Sequence, residues 1–170
     1  QQDVPISYLC YDIPNGVTCQ NRLLTRAEMQ NELADAIKLD LTRCVDLGKF
    51  KKRGYELTAG KQDILVDIGG DAVTVTLKQP ITLRKDQLNV KEDMFSEKFT
   101  YPLGRLYEVS QDILDVETEF GEFDQLSYML AHKGEYVIEK KKPYPDKLYM
   151  LLTKDSDYTF QFFVQDEPSS

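Results

Sequence analysis

Residues 64–77 have the sequence ILVDIGGDAVTVTL, and this stretch decides the fold class. Apolar residues occupy every second position on both sides of a central Gly-Gly pair: Ile64, Val66 and Ile68 before it, then Val73, Val75 and Leu77 after it. A period of two is typical of half-buried strands, and glycines that can adopt positive φ favour a tight turn between them. Pro80 cannot donate to a ladder, so the residues after it are expected at an edge, at a bulge or in a second strand. The sequence therefore predicts a β-hairpin here.

A helix is predicted before this hairpin. Thr25 and Glu28 have the spacing of a capping box, in which each side chain binds the other residue's backbone N–H. Apolar residues at steps of three, four and eight follow, which predicts one helix near 26–47 that stops at Gly48.

Further elements are predicted after the hairpin. Phe95, Phe99 and Tyr101 form another set with a period of two, and the polar segment 87–92 before it indicates a connecting loop. A second amphipathic helix follows Pro102 and ends at Gly121, and a short third helix comes after it. Three more strands are expected, with a turn at 154–157 between the last two: Tyr136–Lys140, Leu148–Thr153 and Tyr158–Val164.

This order of elements predicts the fold class α+β. We expect a mainly antiparallel sheet packed against two longer amphipathic helices and one short helix, because a parallel sheet would need a helix between successive strands. The 170-residue length suits one domain. A single α+β ectodomain is predicted over 1–166, and 167–170 is interpreted as a linker or frayed tail.

Composition excludes several classes of function. The chain has 21 basic and 29 acidic residues, a formal net charge of −8, so a nucleic-acid partner is not expected. One histidine, His132, leaves little for histidine-based metal or acid–base sites, and no cofactor is predicted. No apolar run is long enough to span a bilayer.

Cys10 and Cys19 bracket a turn signal, Pro14-Asn15-Gly16. A hairpin-like loop about that turn brings the two Cβ atoms close enough for a disulfide, which indicates an oxidising compartment outside the cytoplasm. Cys44 lies on the apolar stripe of the first predicted helix and is interpreted as a small hydrophobe. A metal site built from the three thiolates is the alternative, but a CxxC spacing is absent.

No catalytic residues are predicted. Ser127 and His132 are five positions apart and would not share a helix face. Acidic residues cluster over 112–124, where paired carboxylates could hydrolyse glycosides or bind calcium. Glu119, Glu122 and Asp124 are the best calcium candidates, although a solvated helix face explains most of the cluster.

A binding surface is the remaining candidate site. Aromatic and basic side chains are interleaved near the C-terminal strands: Tyr144, Tyr149, Tyr158, Lys140, Lys141 and Lys142. Such a surface could bind carbohydrate, single-stranded nucleic acid or another protein. The alternative is a strand surface whose edge lysines prevent unwanted pairing.

The order of these features resembles the ectodomains of a group of archaeal proteins that are anchored to the membrane by a single N-terminal helix. The resemblance rests on packing and turn residues, among them Tyr8-Leu9-Cys10-Tyr11, the capped helix with Cys44, the segment from Tyr101 to Tyr107, and Phe123-Asp124. It covers most of the chain and implies a hydrophobic anchor before Gln1. It implies no catalytic residue.

We therefore expect a non-catalytic extracytoplasmic domain of a membrane-anchored protein that acts at the cell surface by binding or self-assembly. Its partner would be another protein or other copies of itself, and its contact with the membrane would be only through the anchor. A carboxylate-based hydrolase and a cytosolic protein-interaction adaptor are the alternatives.

Overall fold

The structure, a computed structural model, describes residues 5–12, 19–44, 46–154 and 157–165. Four helices and nine strands occur in these ranges, and the α+β class is confirmed. The side chain of Cys44 is outside the described part, so its predicted packing stays a prediction. The turn predicted at 14–16, part of the turn at 154–157 and the tail at 167–170 also lie outside the described residues.

The chain divides into two compact units. The flanking unit combines Gln1–Leu24 with Tyr101–Ser170, and the inserted unit is Thr25–Thr100. The sequence analysis predicts one domain over 1–166, and whether the two units form one domain stays a prediction.

A five-stranded mixed sheet is the framework of the flanking unit. Its strands are β1 (Tyr8–Asp12), β2 (Cys19–Asn21), β7 (Tyr136–Lys141), β8 (Lys147–Thr153) and β9 (Thr159–Val164). The spatial order is β2-β1-β9-β8-β7, and the pairings are antiparallel except that β1 runs parallel to β9. The three predicted C-terminal strands are confirmed as β7, β8 and β9, to within one residue at each end.

Two helices complete this unit, α3 (Leu103–Phe120) and α4 (Gln125–Ala131). Gly121 ends α3 as predicted: it has φ +73°, and its N–H donates to the carbonyl of Glu117 at 3.0 Å. The apolar side of α3 meets the sheet, which buries a core made of Cys10, Cys19, Leu106, Val109, Ile113, Leu114, Phe123, Ile138, Tyr149, Leu151, Phe162 and Val164.

A disulfide joins Cys10 and Cys19, as predicted. The two cysteines lie on paired strands, with Asp12 opposite Cys19 and Cys10 opposite Asn21. Both are buried in the core of the flanking unit, so the cross-link ties the short β2 to β1 from the inside.

The inserted unit packs a helix against a second sheet. Its elements are α1 (Arg26–Cys44), α2 (Gly48–Lys52), β3 (Glu56–Ala59), β4 (Asp63–Ile68), β5 (Val73–Lys85) and β6 (Leu88–Phe99). The buried residues Ile64, Val66 and Ile68 of β4 lie on the side that contacts α1.

The start of α1 confirms the predicted capping box. The N–H and hydroxyl of Thr25 donate to the Glu28 carboxylate at 2.8 and 2.7 Å, and the N–H of Glu28 donates to Thr25 Oγ1 at 3.3 Å. The predicted end at Gly48 is wrong, because α1 ends at Cys44 and Gly48 begins α2. The Asp46 carboxylate accepts the Gly48 N–H at 2.9 Å and so supports this second start.

The predicted hairpin is confirmed, with a different turn. β4 and β5 pair antiparallel from Asp63 opposite Lys78 to Ile68 opposite Val73, so a four-residue connection, 69–72, joins them. The Gly69 N–H closes this connection on the carbonyl of Ala72 at 2.9 Å. The expected positive φ is wrong: among the described glycines, it occurs at Gly54, Gly121 and Gly134.

Strands β3 and β4 together follow one edge of β5. Glu56–Ala59 pairs with the half of β5 from Ile81 to Arg84, and Asp63–Ile68 pairs with the half from Val73 to Lys78. The break between them faces Pro80, whose carbonyl accepts the Gly60 N–H at 2.8 Å. The β5–β6 register also shifts between Lys78 and Ile81, which confirms the predicted irregularity at the proline.

The loop predicted over 87–92 is wrong, because those residues after Gln87 belong to β6. The strand turns back from β5 through Asp86-Gln87 and pairs with β5 from Lys85 opposite Leu88 to Val73 opposite Phe99. Backbone hydrogen bonds of this long hairpin keep the segment extended although its side chains are polar.

The described helices contain no stretch that is both long and apolar enough to cross a bilayer.

Candidate functional site

The predicted aromatic–lysine surface does not form one patch. Tyr149 is fully buried in the core of the flanking unit, so its prediction as a surface residue is wrong. It lies at a buried position of β8, where it stacks on Phe162 with the ring centroids 5.5 Å apart. The alternation of β8 points Tyr149 inward with Leu151, and the aromatic side chain serves packing.

The other predicted surface residues have separate environments. Tyr144 is exposed, and Tyr158 makes an edge contact with Tyr101 at 4.5 Å between ring centroids. Lys141 and Lys142 are exposed. The side chain of Lys140 is only 8% exposed, since its ammonium binds Glu122 at 2.6 Å and the carbonyl of Phe123 at 2.7 Å.

A buried ion pair lies where α3 ends over β8. Lys147 Nζ is 2.9 Å from Glu117 Oε2, and each side chain is 1% exposed. Tyr149 OH and the backbone N–H of Phe123 both donate to Glu117 Oε1, the latter at 3.0 Å. Lys147 also donates to the carbonyl of Gly121. Both charges are therefore paired and hydrogen-bonded, as a stable buried pair requires.

Glu122 is the exposed counterpart of this pair. Its carboxylate contacts the ammonium groups of Lys140, Lys142 and Lys147 at 2.6, 3.2 and 3.3 Å. The hydrogen bond from Lys140 is the largest cause that lowers the pKa of Glu122 from 4.5 to about 2. A carboxyl group held ionised in this way is a poor proton donor near neutral pH.

Glu122 should give the protein a distinct pH dependence. Because its pKa is lower in the folded state, its stabilisation is present above pH 4.5 and is lost as the pH falls toward 2. We expect Glu122→Gln to reduce the free energy of unfolding by at most about 1 kcal/mol near neutral pH, since the side chain is 53% exposed and screened. Urea titrations of both proteins at several pH values measure this difference, which should shrink below pH 4.5. A difference that is constant over that range would contradict the assignment.

The other predicted reactive groups are not brought together. The Ser127 hydroxyl donates to Asp124 at 2.6 Å, and Asp124 also caps α4. His132 stacks on Tyr128 with ring centroids 4.0 Å apart, and its Nδ1 lies 2.9 Å from the carbonyl of Tyr128. Ser127 and His132 thus have different partners.

Tyr128, on which His132 stacks, also links α4 to α3. Its hydroxyl donates to Asp112 at 2.7 Å, and burial followed by this carboxylate raises the pKa of Tyr128. Asp112 and Asp124 therefore act in hydrogen bonds within the unit. Within the described residues, no group of three or more His, Cys, Asp or Glu side chains could hold a metal ion.

Strand β6 is an exposed outer strand of the inserted unit. All twelve of its residues are exposed, and within the described structure it pairs with β5 alone. Five large apolar side chains lie on it, each between 41% and 54% exposed: Leu88, Val90, Met94, Phe95 and Phe99. The outer edge of such a strand offers N–H and C=O groups to another strand.

An apolar cavity beside β6 extends this surface. It has a volume of about 260 Å³ and is lined in part by Leu41 of α1, Leu77 of β5 and Phe95 of β6. Phe95, a residue of the outer strand, thus also borders the space next to α1. The sequence indicates only the end of β6, through the period of two at Phe95 and Phe99, because the polar segment 87–92 predicts a loop where β6 begins.

Comparison with known proteins adds no relative: no family model, curated protein or solved structure matches the chain. The resemblance to membrane-anchored archaeal ectodomains stays a prediction.

Proposed function

We propose that this chain is a non-catalytic extracytoplasmic domain of a membrane-anchored protein and that it acts at the cell surface by protein binding or self-assembly. The exposed β6 is the observation that carries this proposal. Within the described residues it is a long strand that pairs on one side only and bears exposed apolar side chains. Proteins use strands of this kind for strand addition.

The Cys10–Cys19 disulfide supports the location outside the cytoplasm. Structural disulfides persist in oxidising compartments and are rare in the reducing cytosol. This one is buried in the core of the flanking unit, so it is part of the packing and is shielded from solvent.

The contacts of the acidic segment support a non-catalytic role. A carboxylate-based hydrolase needs one carboxyl group with a raised pKa and a second one facing the same substrate. Glu117 is instead paired with Lys147, and Glu122 is held ionised by three lysines. Asp112 and Asp124 are engaged by Tyr128 and by the start of α4.

Two measurements test the proposal. Mass spectrometry of non-reduced protein isolated from its native cells should find Cys10 linked to Cys19, and free thiols at both positions would overturn the location. Light scattering over a wide range of concentration should show association, or immobilised protein should retain native cell-envelope fragments. A chain that remains monomeric and also leaves envelope fragments unbound would overturn the role in binding.

A further inference from the structure

The free edge of β6 carries charges in an order that suits one partner. From Leu88 to Phe99 its sequence is LNVKEDMFSEKF, with Lys91, Glu92 and Asp93 on one side of Met94 and Glu97 and Lys98 on the other. The exposure of every side chain leaves both faces of the strand accessible. This inference depends on the proposed function and specifies the partner within it.

We propose that β6 pairs with β6 of a second copy of this chain, antiparallel, across a two-fold axis at Met94. The two sheets of the inserted units then form one continuous sheet, and Asn89 of each copy lies opposite Phe99 of the other. A two-fold contact of this kind is closed, so it produces a dimer and leaves no β6 edge free to recruit further copies.

Symmetry restricts the registers that such a pair can adopt. Residues opposite each other in a sheet point to the same face. A two-fold axis perpendicular to the sheet keeps each residue of both copies on the same face, so residues in opposition must be an even number of positions apart. The axis must therefore pass through a residue of β6, and not between two residues.

The charges select one residue among the central candidates. An axis at Asp93 places that carboxylate opposite its own copy, and an axis at Glu92 does the same for Glu92. An axis at Phe95 places Asp93 opposite Glu97. Like charges in direct opposition destabilise a strand pair, so these registers are disfavoured.

An axis at Met94 avoids every direct opposition of like charges along β6. It places Lys91 opposite Glu97, and symmetry makes this contact twice. Glu92 then faces Ser96, and Lys98 faces Val90. Asp93 faces Phe95, so Lys91 and Glu97 are the charged residues that this register places opposite a complementary charge.

The apolar side chains of β6 gain contacts in the same register. Met94 lies directly opposite its own copy on one face, and Phe95 lies diagonal to its own copy on the other face. Diagonal neighbours are about 7–8 Å apart, within reach of aromatic rings. Met94 and Phe95, which are 54% and 41% exposed, would become covered by the partner.

Charge reversal tests both the strand and the register. Lys91→Glu places two carboxylates in opposition twice, and Glu97→Lys places two lysines in opposition twice, so each change should weaken the dimer by about tenfold or more. An equimolar mixture of the two variants should form a heterodimer of near wild-type affinity, because a carboxylate then faces a lysine at both contacts. Lys38→Glu, a reversal on the exposed side of α1, is the control and should leave the dimer unchanged.

Analytical ultracentrifugation of the whole chain measures these dissociation constants. A wild-type dimer that tolerates Lys91→Glu and Glu97→Lys, or variants that do not recover on mixing, would overturn this interface and leave the proposed function standing. A monomeric wild type that still binds envelope fragments would also overturn this interface and leave the proposed function standing. Failure of both association and envelope binding would overturn the proposed function as well.

Cross-linking gives a second readout that does not depend on charge. In a Cys44→Ser background, Met94→Cys places the new thiol opposite its own copy and should form a covalent dimer on mild oxidation. Leu88→Cys, equally exposed but outside the paired segment, is the matched control and should remain monomeric on a non-reducing gel. Equal cross-linking of the two variants would overturn the register.

Discussion

Replacing Lys147 by methionine should lower the free energy of unfolding of the flanking unit by about 3–5 kcal/mol. The substitution removes the partner of a carboxylate that is 1% exposed, and it leaves the charge of Glu117 buried without compensation. It also removes the ammonium donor to the carbonyl of Gly121, which ends α3. The loss therefore affects the point where α3 is held to β8.

A second substitution tests whether the lost stability comes from the unpaired charge of Glu117. Glu117→Gln retains an oxygen that can accept from Tyr149 and Phe123, so the double variant with Lys147→Met should recover much of the loss. Lys142→Met removes an exposed ion pair with Glu122 and should change the free energy by less than about 0.5 kcal/mol. Chemical denaturation measures Lys147→Met, Glu117→Gln, their double variant and Lys142→Met. A double variant as unstable as the sum of its single changes would contradict the pairing.

Removing the disulfide with Cys10→Ala/Cys19→Ala should lower the stability of the flanking unit by about 3 kcal/mol. The bridge spans a sequence separation of 9, and without it the unfolded chain gains conformational freedom. Both sulfur atoms also belong to the buried core, so alanine leaves space between β1, β2 and α3.

Hydrogen exchange can show which elements are destabilised when the disulfide is removed. Peptides from α3 and β8 should lose protection in the double alanine variant and also in wild-type protein that has been reduced. Peptides from β4 and β5 report on the inserted unit and serve as the internal reference. Unchanged protection of α3 and β8 would contradict a structural role for the bridge.

Local patterns in the sequence were sufficient to locate most of the elements. Pro102 and Gly121 bounded α3, the capping box located the start of α1, and the cysteine pair around a turn signal predicted the disulfide. Each of these signals acts between residues close in sequence, where steric preference and a single hydrogen bond decide the conformation.

The buried ion pair could not be recognised as a pair, because its partners are thirty residues apart in sequence and on different elements. The sequence nonetheless indicates that Glu117 and Lys147 are each buried. Glu117 continues the spacing of Leu106 and Ile113 along α3, and Lys147 is in phase with Tyr149 along β8. The sequence analysis places Glu117 only within the acidic cluster 112–124, while the helical and strand periods both indicate the core for Glu117 and Lys147.

The sequence indicates only the end of β6, where Phe95 and Phe99 follow a period of two. Alternation of apolar and polar residues detects a strand only if one face is buried, and every residue of β6 is exposed. Its strand conformation follows from the ladder with β5, which depends on the turn at Asp86 and on the register of the pairing. The period of two therefore does not extend to the first residues of β6, and it gives no indication that the outer edge of the strand is unpaired.

The parallel neighbours β1 and β9 constrain the order in which this chain can be completed during synthesis. β1 is synthesised before the whole inserted unit, yet β9, the strand that lies between β1 and β8, ends at Val164. The inserted unit contains all partners of its own sheet within Thr25–Thr100, so it can close while translation continues. The sheet of the flanking unit, by contrast, must wait for β9, and a nascent chain arrested before β9 would have no strand to join the β1–β2 hairpin to β8.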